Sequence, residues 1–201
     1  LPFHGDQISA YKRLMGRIDT AIPYHNVSGN HDFNGNPTEE SIARYSDIFG
    51  PDRYSFDHND WHFITLNSSL MKFPEDAPDE AKAQRSWAES DLIGALGMQG
   101  TVVFMHHPFF DDNIDEDDGY HSITKAYRRE WLDLFAENNV KAVFSGHRHT
   151  TIPEHDWKGV KLINTNAVCN SFDDSPGLRI VRIDNRGLSH TFHGIDDLPG
   201  D

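Results

Sequence analysis

Side chains that can bind a metal ion follow three separate apolar segments of the chain. They belong to the sequences Gly29-Asn30-His31-Asp32, His106-His107 and His147-Arg148-His149. Neutral imidazoles and an amide oxygen are ligands that suit transition metals such as Zn, Mn and Fe. One histidine at a strand end usually only hydrogen-bonds a nearby carbonyl, but three such ends in one chain predict a metal site.

The segments that carry these residues read as buried strands, and helices alternate with them. Short apolar runs predict strands at residues 22–28, 101–105 and 141–145. Apolar residues at helical spacing predict helices over residues 6–20, 37–49, 78–96 and 122–138. A hairpin over 53–66 and three β runs at 158–164, 178–183 and 188–192 complete an α/β sandwich. Carboxyl ends of parallel strands meet at one sheet edge, where we expect the three motifs to lie together.

Composition narrows the class of protein. The 201 residues suit one domain, and a net charge of −14 argues against a nucleic-acid partner. The longest apolar runs are far shorter than the ~18 residues that span a bilayer. A single cysteine, Cys169, excludes an internal disulfide and a thiolate metal site, whereas 13 histidines favour imidazole chemistry. The sequence leaves the cellular compartment open.

The three motifs, in this order, resemble those of the calcineurin-like metallophosphoesterases. They are Gly29-Asn30-His31-Asp32, Met105-His106-His107-Pro108 and Gly146-His147-Arg148-His149, and the similarity runs from about residue 14 to 183. The resemblance is strongest to a subgroup of phosphoprotein phosphatases. It implies a four-layer αββα sandwich of two mixed β-sheets flanked by helices. It also implies one metallophosphoesterase domain over residues 1–201 and two divalent or trivalent ions, Mn, Fe or Zn.

The resemblance also implies roles for individual residues. Asn30, His106 and His147 would bind one metal ion, and His149 would bind the other. His31, paired with Asp32, would stabilise the phosphoryl oxygens and protonate the leaving group. The family's His-x-Pro spacing selects His106 rather than its neighbour His107.

Two further residues of these motifs are read from their surroundings. His107 is expected either to contact the metal ligands without binding the ion itself or to pack in the interior. Arg148 would hold a substrate phosphate or pair with a surface carboxylate, and the sequence favours neither. In extended backbone His147 and His149 would point to the same side, whereas a slight turn would let them reach two neighbouring ions.

The sequence departs from the family pattern at its start. The family's Asp-x-His and Gly-Asp motifs supply a bridging aspartate and precede the Asn30 motif. Ahead of Asn30 this sequence has no Asp-x-His, and Gly5-Asp6 has the letters of the second motif but leads straight into a predicted helix without a preceding strand. We therefore expect that an N-terminal portion carrying them is missing from this chain. Asp6 is either a helix cap or that bridging ligand. Asp60-Trp61-His62 spells Asp-x-His but follows Asn30 and precedes a strand, so we exclude it as a metal motif.

Two other features are interpreted as structural. Six carboxylates between Asp111 and Asp118 do not fit calcium-loop spacing, and we expect a solvated loop that borders the cleft. Tyr120 is expected in the core together with Trp87 and Trp131.

These observations predict a metal-dependent phosphoester hydrolase. By the family resemblance, hydroxide activated by two metal ions would attack a phosphomonoester, including phosphoserine or phosphothreonine in a protein. The cations would offset the chain's negative charge where phosphate binds. The alternatives are a catalytically impaired binding module of the same fold and a phosphodiesterase acting on cyclic or small substrates.

Overall fold

The structure is a computed structural model that describes residues 5–169, 171–172 and 176–198. The helices are α1 (Gly5–Met15), α2 (Glu39–Phe49), α3 (Ser68–Lys72), α4 (Pro78–Gly94) and α5 (Lys125–Glu137). The first strands are β1 (Tyr54–His58), β2 (Trp61–Thr65), β3 (Gly100–Phe104) and β4 (Val140–Ser145). The remaining strands are β5 (His155–Trp157), β6 (Val160–Asn164), β7 (Gly177–Asp184) and β8 (Gly187–Gly194).

A six-stranded mixed sheet has the order β1-β2-β3-β4-β6-β5. Strands β2, β3, β4 and β6 run parallel, while β1 and β5 pair antiparallel at the two edges. The turn between β1 and β2 places Asn59 and Asp60 at positive φ, as tight hairpin turns require. The carboxyl ends of β2, β3 and β4 therefore meet at one edge of the sheet, as predicted.

Side chains alternate between the two faces of this sheet. On one face Ile64, Val103 and Val143 belong to the main core, which also includes Leu92 of α4 and Leu132 of α5. The opposite face packs against the second sheet, an antiparallel hairpin of β7 and β8. The layered α/β fold class predicted from the sequence is confirmed.

The predicted strand at residues 22–28 is wrong. Residues 23–29 have no regular secondary structure, and α1 ends at Met15 rather than near residue 20. A strand needs a neighbour for its backbone hydrogen bonds, and no described strand pairs with this segment. Side-chain contacts hold it instead: His25 stacks on Phe56 at 3.7 Å, and Tyr54 Oη donates to the Asn26 carbonyl over 2.9 Å.

The short helix α3 was not predicted from the sequence. The Asn67 side chain caps it by accepting from the Ser69 N–H over 3.1 Å. Asn67 is itself held by donation to Asp52 Oδ2 over 2.8 Å. The helix places Ser68 at the carboxyl edge of the sheet, beside the predicted metal motifs.

Among the described residues, no helix combines the length and apolar character that crossing a membrane requires.

Candidate metal centre

Asn30 lies on a short turn that its own neighbours stabilise. It begins a 3₁₀ turn, Asn30–Phe33, and is buried. The backbone N–H of Gly29 donates to Asp32 Oδ2 over 2.7 Å, which closes the turn as in a capping box. Phe33 packs against Tyr45. The carboxylate of Asp32 therefore stabilises the turn that presents Asn30.

Gly29 allows this turn to approach a histidine from another part of the chain. A Cβ atom at Gly29 would lie 3.1 Å from ring atoms of His106. Carbon atoms in favourable contact lie about 3.5–4.0 Å apart, so a side chain here would force the ring to shift. The glycine therefore permits Asn30 and His106 to meet.

Three donor atoms from separate segments converge at the edge of the sheet. His106 Nε2 lies 3.0 Å from Asn30 Oδ1 and 2.9 Å from His147 Nδ1. One imidazole nitrogen carries at most one proton, so it cannot donate a separate hydrogen bond to each. His147 Nε2 is buried and has no hydrogen-bond partner within the described part of the chain. A cation between Asn30 Oδ1, His106 Nε2 and His147 Nδ1 would bind their lone pairs, so the donor set fits a metal ion.

Burial keeps the histidine rings in the form that binds metals. Desolvation, with the neighbouring His147 as the next cause, lowers the pKa of His106 to about 3. Desolvation, with His121 next, lowers the pKa of His147 to about 4. Both rings are therefore neutral at neutral pH, and neutral imidazole is the form that coordinates metals.

His107 is close to the same centre but its ring is held by Ser68. Nitrogen atoms of His106, His107 and His147 lie within 4.8 Å of one another. Ser68 Oγ accepts the backbone N–H groups of His106 and His107 over 3.1 and 2.9 Å. With both lone pairs occupied, Ser68 donates its own proton to His107 Nδ1, which lies 2.9 Å away. In the neutral ring the remaining proton then sits on Nε2, which leaves that atom a donor rather than a metal ligand.

The His-x-His pair lies in a turn rather than in extended backbone. His147 and His149 have φ values of 69° and 54°, in the left-handed region. Such backbone costs of order 1–3 kcal/mol per residue and occurs preferentially at functional sites. The His149 ring stacks on Phe172, with centroids 5.4 Å apart, and His149 lies outside the cluster of His106, His107 and His147.

The predicted catalytic pair is arranged differently from a hydrogen-bonded dyad. His31 is exposed. Burial raises the pKa of Asp32, and the Gly29 hydrogen bond and the nearby His31 offset only part of that rise. The Asp32 carboxylate accepts its hydrogen bond from the Gly29 backbone N–H.

Arg148 pairs with a carboxylate, one of the two roles considered from the sequence. Its Nη1 lies 3.2 Å from Asp111 Oδ2. Arg148 Nε is buried without a partner among the residues described, so this donor is uncommitted.

Sequence reasoning missed three residues of this site and misplaced one of them. Tyr120, predicted in the core, is 61% exposed, and its hydroxyl accepts from Asn30 Nδ2 over 3.1 Å. Ser68 and His121 also lie at the centre, the latter with its ring centroid 5.5 Å from that of His147. None of the three belongs to a periodic pattern, so only their place after a strand or in the acidic loop could have pointed to them.

Ligands for a second ion are fewer. His149 is the candidate from the motifs, and Asp6 lies exposed in the first turn of α1, where an acidic residue favours helix formation. The described side chains thus converge more fully around one ion than around two.

Comparisons with known proteins agree with this geometry. The chain is 33% identical over 200 residues to serine/threonine-protein phosphatase CPPED1 of Bos taurus, covering 98% of this chain. It spans 64% of that relative's length. A purple acid phosphatase from yellow lupin has the same fold, with TM-score 0.61 and 16% identity over 94% of this chain and 42% of its own. A dimetal phosphatase from Danio rerio gives TM-score 0.57 at 16% identity, over 92% of this chain and 74% of its own.

The family model described as calcineurin-like phosphoesterase matches residues 3–151, which include all three motifs. The match extends over well more than half of the chain and includes Asn30, His106 and His147. The chain therefore belongs to the calcineurin-like phosphoesterase family.

Proposed function

We propose that the protein is a metal-dependent hydrolase of phosphomonoesters, formed as one metallophosphoesterase domain. One observation supports this most: Asn30 Oδ1, His106 Nε2 and His147 Nδ1 converge within 3.0 Å contacts at the carboxyl edge of the sheet. In this proposal they bind one ion and His149 binds a second. The family's dinuclear centre and the donor types are compatible with Mn, Fe or Zn.

The chain's own residues would bind and orient the phosphate. Bound cations supply water activation at neutral pH and neutralise phosphoryl charge. His31, exposed next to Asn30, would donate a proton to the leaving-group oxygen, and Asp32 would keep it in place by closing the turn. Arg148 would direct its uncommitted Nε to a phosphoryl oxygen while Asp111 holds the other end of the guanidinium group.

Phosphoserine or phosphothreonine in a protein is the substrate class that we propose first. The support is the similarity to a relative named a serine/threonine-protein phosphatase. Small or cyclic phosphodiesters would use the same visible residues, so the choice between the two classes needs a direct assay.

A catalytically impaired binding module is the second candidate. One observation favours it: the described ligands gather around one ion, with His149 alone for another. Such a module would bind fewer than the two equivalents of metal that the family's centre holds, and replacing His31 would not change the rate of ester hydrolysis.

The test compares hydrolysis of p-nitrophenyl phosphate and bis(p-nitrophenyl) phosphate by the full-length protein, with and without Mn²⁺ or Zn²⁺. We expect turnover of the monoester that requires the metal. His31→Ala should lower kcat by about 10²–10⁴-fold, the usual contribution of a general acid. His58→Ala is the matched control, because His58 is an exposed histidine at the β1–β2 turn. Absence of turnover of both esters with either metal would overturn the hydrolase proposal.

A further inference from the structure

Tyr120 touches the metal centre although it belongs to none of the motifs. It lies in the loop between β3 and α5, and its hydroxyl oxygen is 3.1 Å from Asn30 Nδ2. Its ring also contacts the ring of His147, with centroids 5.2 Å apart. The residue thus reaches two of the three proposed ligands of the first ion.

The contact matters because the Asn30 amide has two different ends. Its oxygen faces His106 over 3.0 Å, and its NH₂ group donates to Tyr120. Only the oxygen end can bind a cation, since the NH₂ group is a donor. Asn30 is buried, and a buried NH₂ group without an acceptor is unfavourable. The tyrosine hydroxyl therefore supplies the acceptor that the ligating orientation of the amide requires.

The loop holds Tyr120 firmly enough to perform this role. The buried Lys72 of α3 donates through Nζ to the carbonyls of Gly119 and Ser122, on either side of the tyrosine. Arg128, also buried, donates to the carbonyls of Ile114 and Glu116 over 3.0 and 2.9 Å. Two buried cations thus attach the acidic loop to the helices around it, and the phenol hydroxyl is fixed in front of Asn30.

We propose that Tyr120 is a positioning residue that orients the Asn30 amide with its oxygen towards the metal ion. The inference rests on the proposed function, because it concerns the ligands of that same site. It assigns to an exposed loop residue a contribution to metal affinity rather than to substrate binding alone. Groups that orient metal ligands typically contribute about 10–100-fold to metal affinity or activity.

The test is titration calorimetry of the full-length protein with Mn²⁺ after removal of bound metal. Tyr120→Phe removes the hydroxyl and keeps the ring, and it should raise the Kd for Mn²⁺ about 10–100-fold. Tyr24→Phe is the matched control, because Tyr24 is a similarly exposed tyrosine, and it should leave the Kd unchanged. A Tyr120→Phe protein with the wild-type Kd overturns the inference, including the case in which only its KM for p-nitrophenyl phosphate rises.

A second variant shows whether the effect passes through Asn30. In an Asn30→Ala background, adding Tyr120→Phe should change the Kd for Mn²⁺ by less than about 2-fold, because the orienting partner is already absent. A full further loss in that background would overturn the inference. Failure of the proposed function gives a different result, since wild-type protein would then hydrolyse neither ester, whereas the Kd values for Mn²⁺ are compared without substrate.

Discussion

Two histidines at the sheet, the buried His62 and the half-buried His106, have opposite surroundings. His62 lies on β2 between two carboxylates, with Nδ1 2.7 Å from Asp57 Oδ1 and Nε2 2.9 Å from Asp91 Oδ2. His106 follows β3, and its Nε2 faces an amide oxygen and a second imidazole. No carboxylate forms a hydrogen bond with the His106 ring among the described residues.

The difference separates a structural histidine from one that can bind a metal. Each nitrogen of His62 lies within hydrogen-bond distance of a carboxylate, so the ring joins the β1–β2 hairpin to α4 and both nitrogens are engaged there. The ring of His106 meets atoms that compete for one proton. The Asp-x-His sequence at residues 60–62 enters β2, whereas the His-x-Pro sequence at 106–108 follows β3, and the surroundings of the two histidines differ accordingly.

The largest expected effect is loss of metal binding when His106 is replaced. His106→Ala removes the central one of the three converging donors, so we expect Mn²⁺ affinity to fall more than about 100-fold. Calorimetric titration measures it. Retention of wild-type affinity would mean that His107 or another donor occupies this place, and the contrast with His62 would disappear.

His62→Ala should have the opposite effect, lowering the stability of the fold and leaving metal affinity unchanged. It leaves the partly buried Asp91 with Ser55 as its remaining side-chain donor, and loss of a hydrogen bond to a charged group costs about 1.5–3 kcal/mol of the free energy of unfolding. Urea unfolding measures the loss, and Mn²⁺ titration of the folded variant should give the wild-type Kd. A weakened Kd would show that the hairpin clamp and the metal centre are coupled.

Acid should destabilise the metal-free protein through the histidines of the metal centre. The pKa values of His106 and His147 are lowered to about 3 and about 4 in the folded state. The pKa of a histidine in the unfolded chain is about 6.5. As the pH falls through this value the unfolded chain binds more protons than the folded protein, so the free energy of unfolding decreases. Between pH 6.5 and 5 each ring should contribute a loss of about 1.5 kcal/mol, because the unfolded ring is already half protonated at pH 6.5.

Urea unfolding of metal-free protein at several pH values checks this prediction. Between pH 6.5 and 5 the free energy of unfolding should fall less in His106→Ala than in the wild type, and the difference should equal the contribution of one histidine ring. An identical pH dependence in both proteins would contradict the assignment of the acid sensitivity to this site.

Much of the fold was predictable from local patterns. The Pro78 start of α4, the helical spacing in α5 and the short apolar runs of β3 and β4 each carry a signal within a few residues. The error at residues 22–28 has a different origin, because strand formation there depends on a pairing partner elsewhere in the chain. The five-residue helix α3 is too short for helical periodicity to reveal it.

The candidate site could be predicted for the residues that belong to the sequence motifs, but not for the residues outside the motifs that contact them. Asn30, His106 and His147 could be selected because each follows an apolar segment. The contacts of Ser68 with His107 and of Tyr120 with Asn30 join residues far apart in sequence, through side chains whose direction no spacing rule gives. Their partners could be found only from the three-dimensional arrangement.

The convergence of donors from positions 30, 106 and 147 has a consequence for how easily the chain opens locally. An ion held by all three would act as a reversible cross-link that closes two long loops at once, and closing such loops reduces the entropy of the unfolded ensemble. Metal uptake would then tighten the segment at residues 23–29, which no described strand pairs with and which leads into Asn30. Resistance of this segment to proteases would rise with metal concentration, by mass action on the folded form.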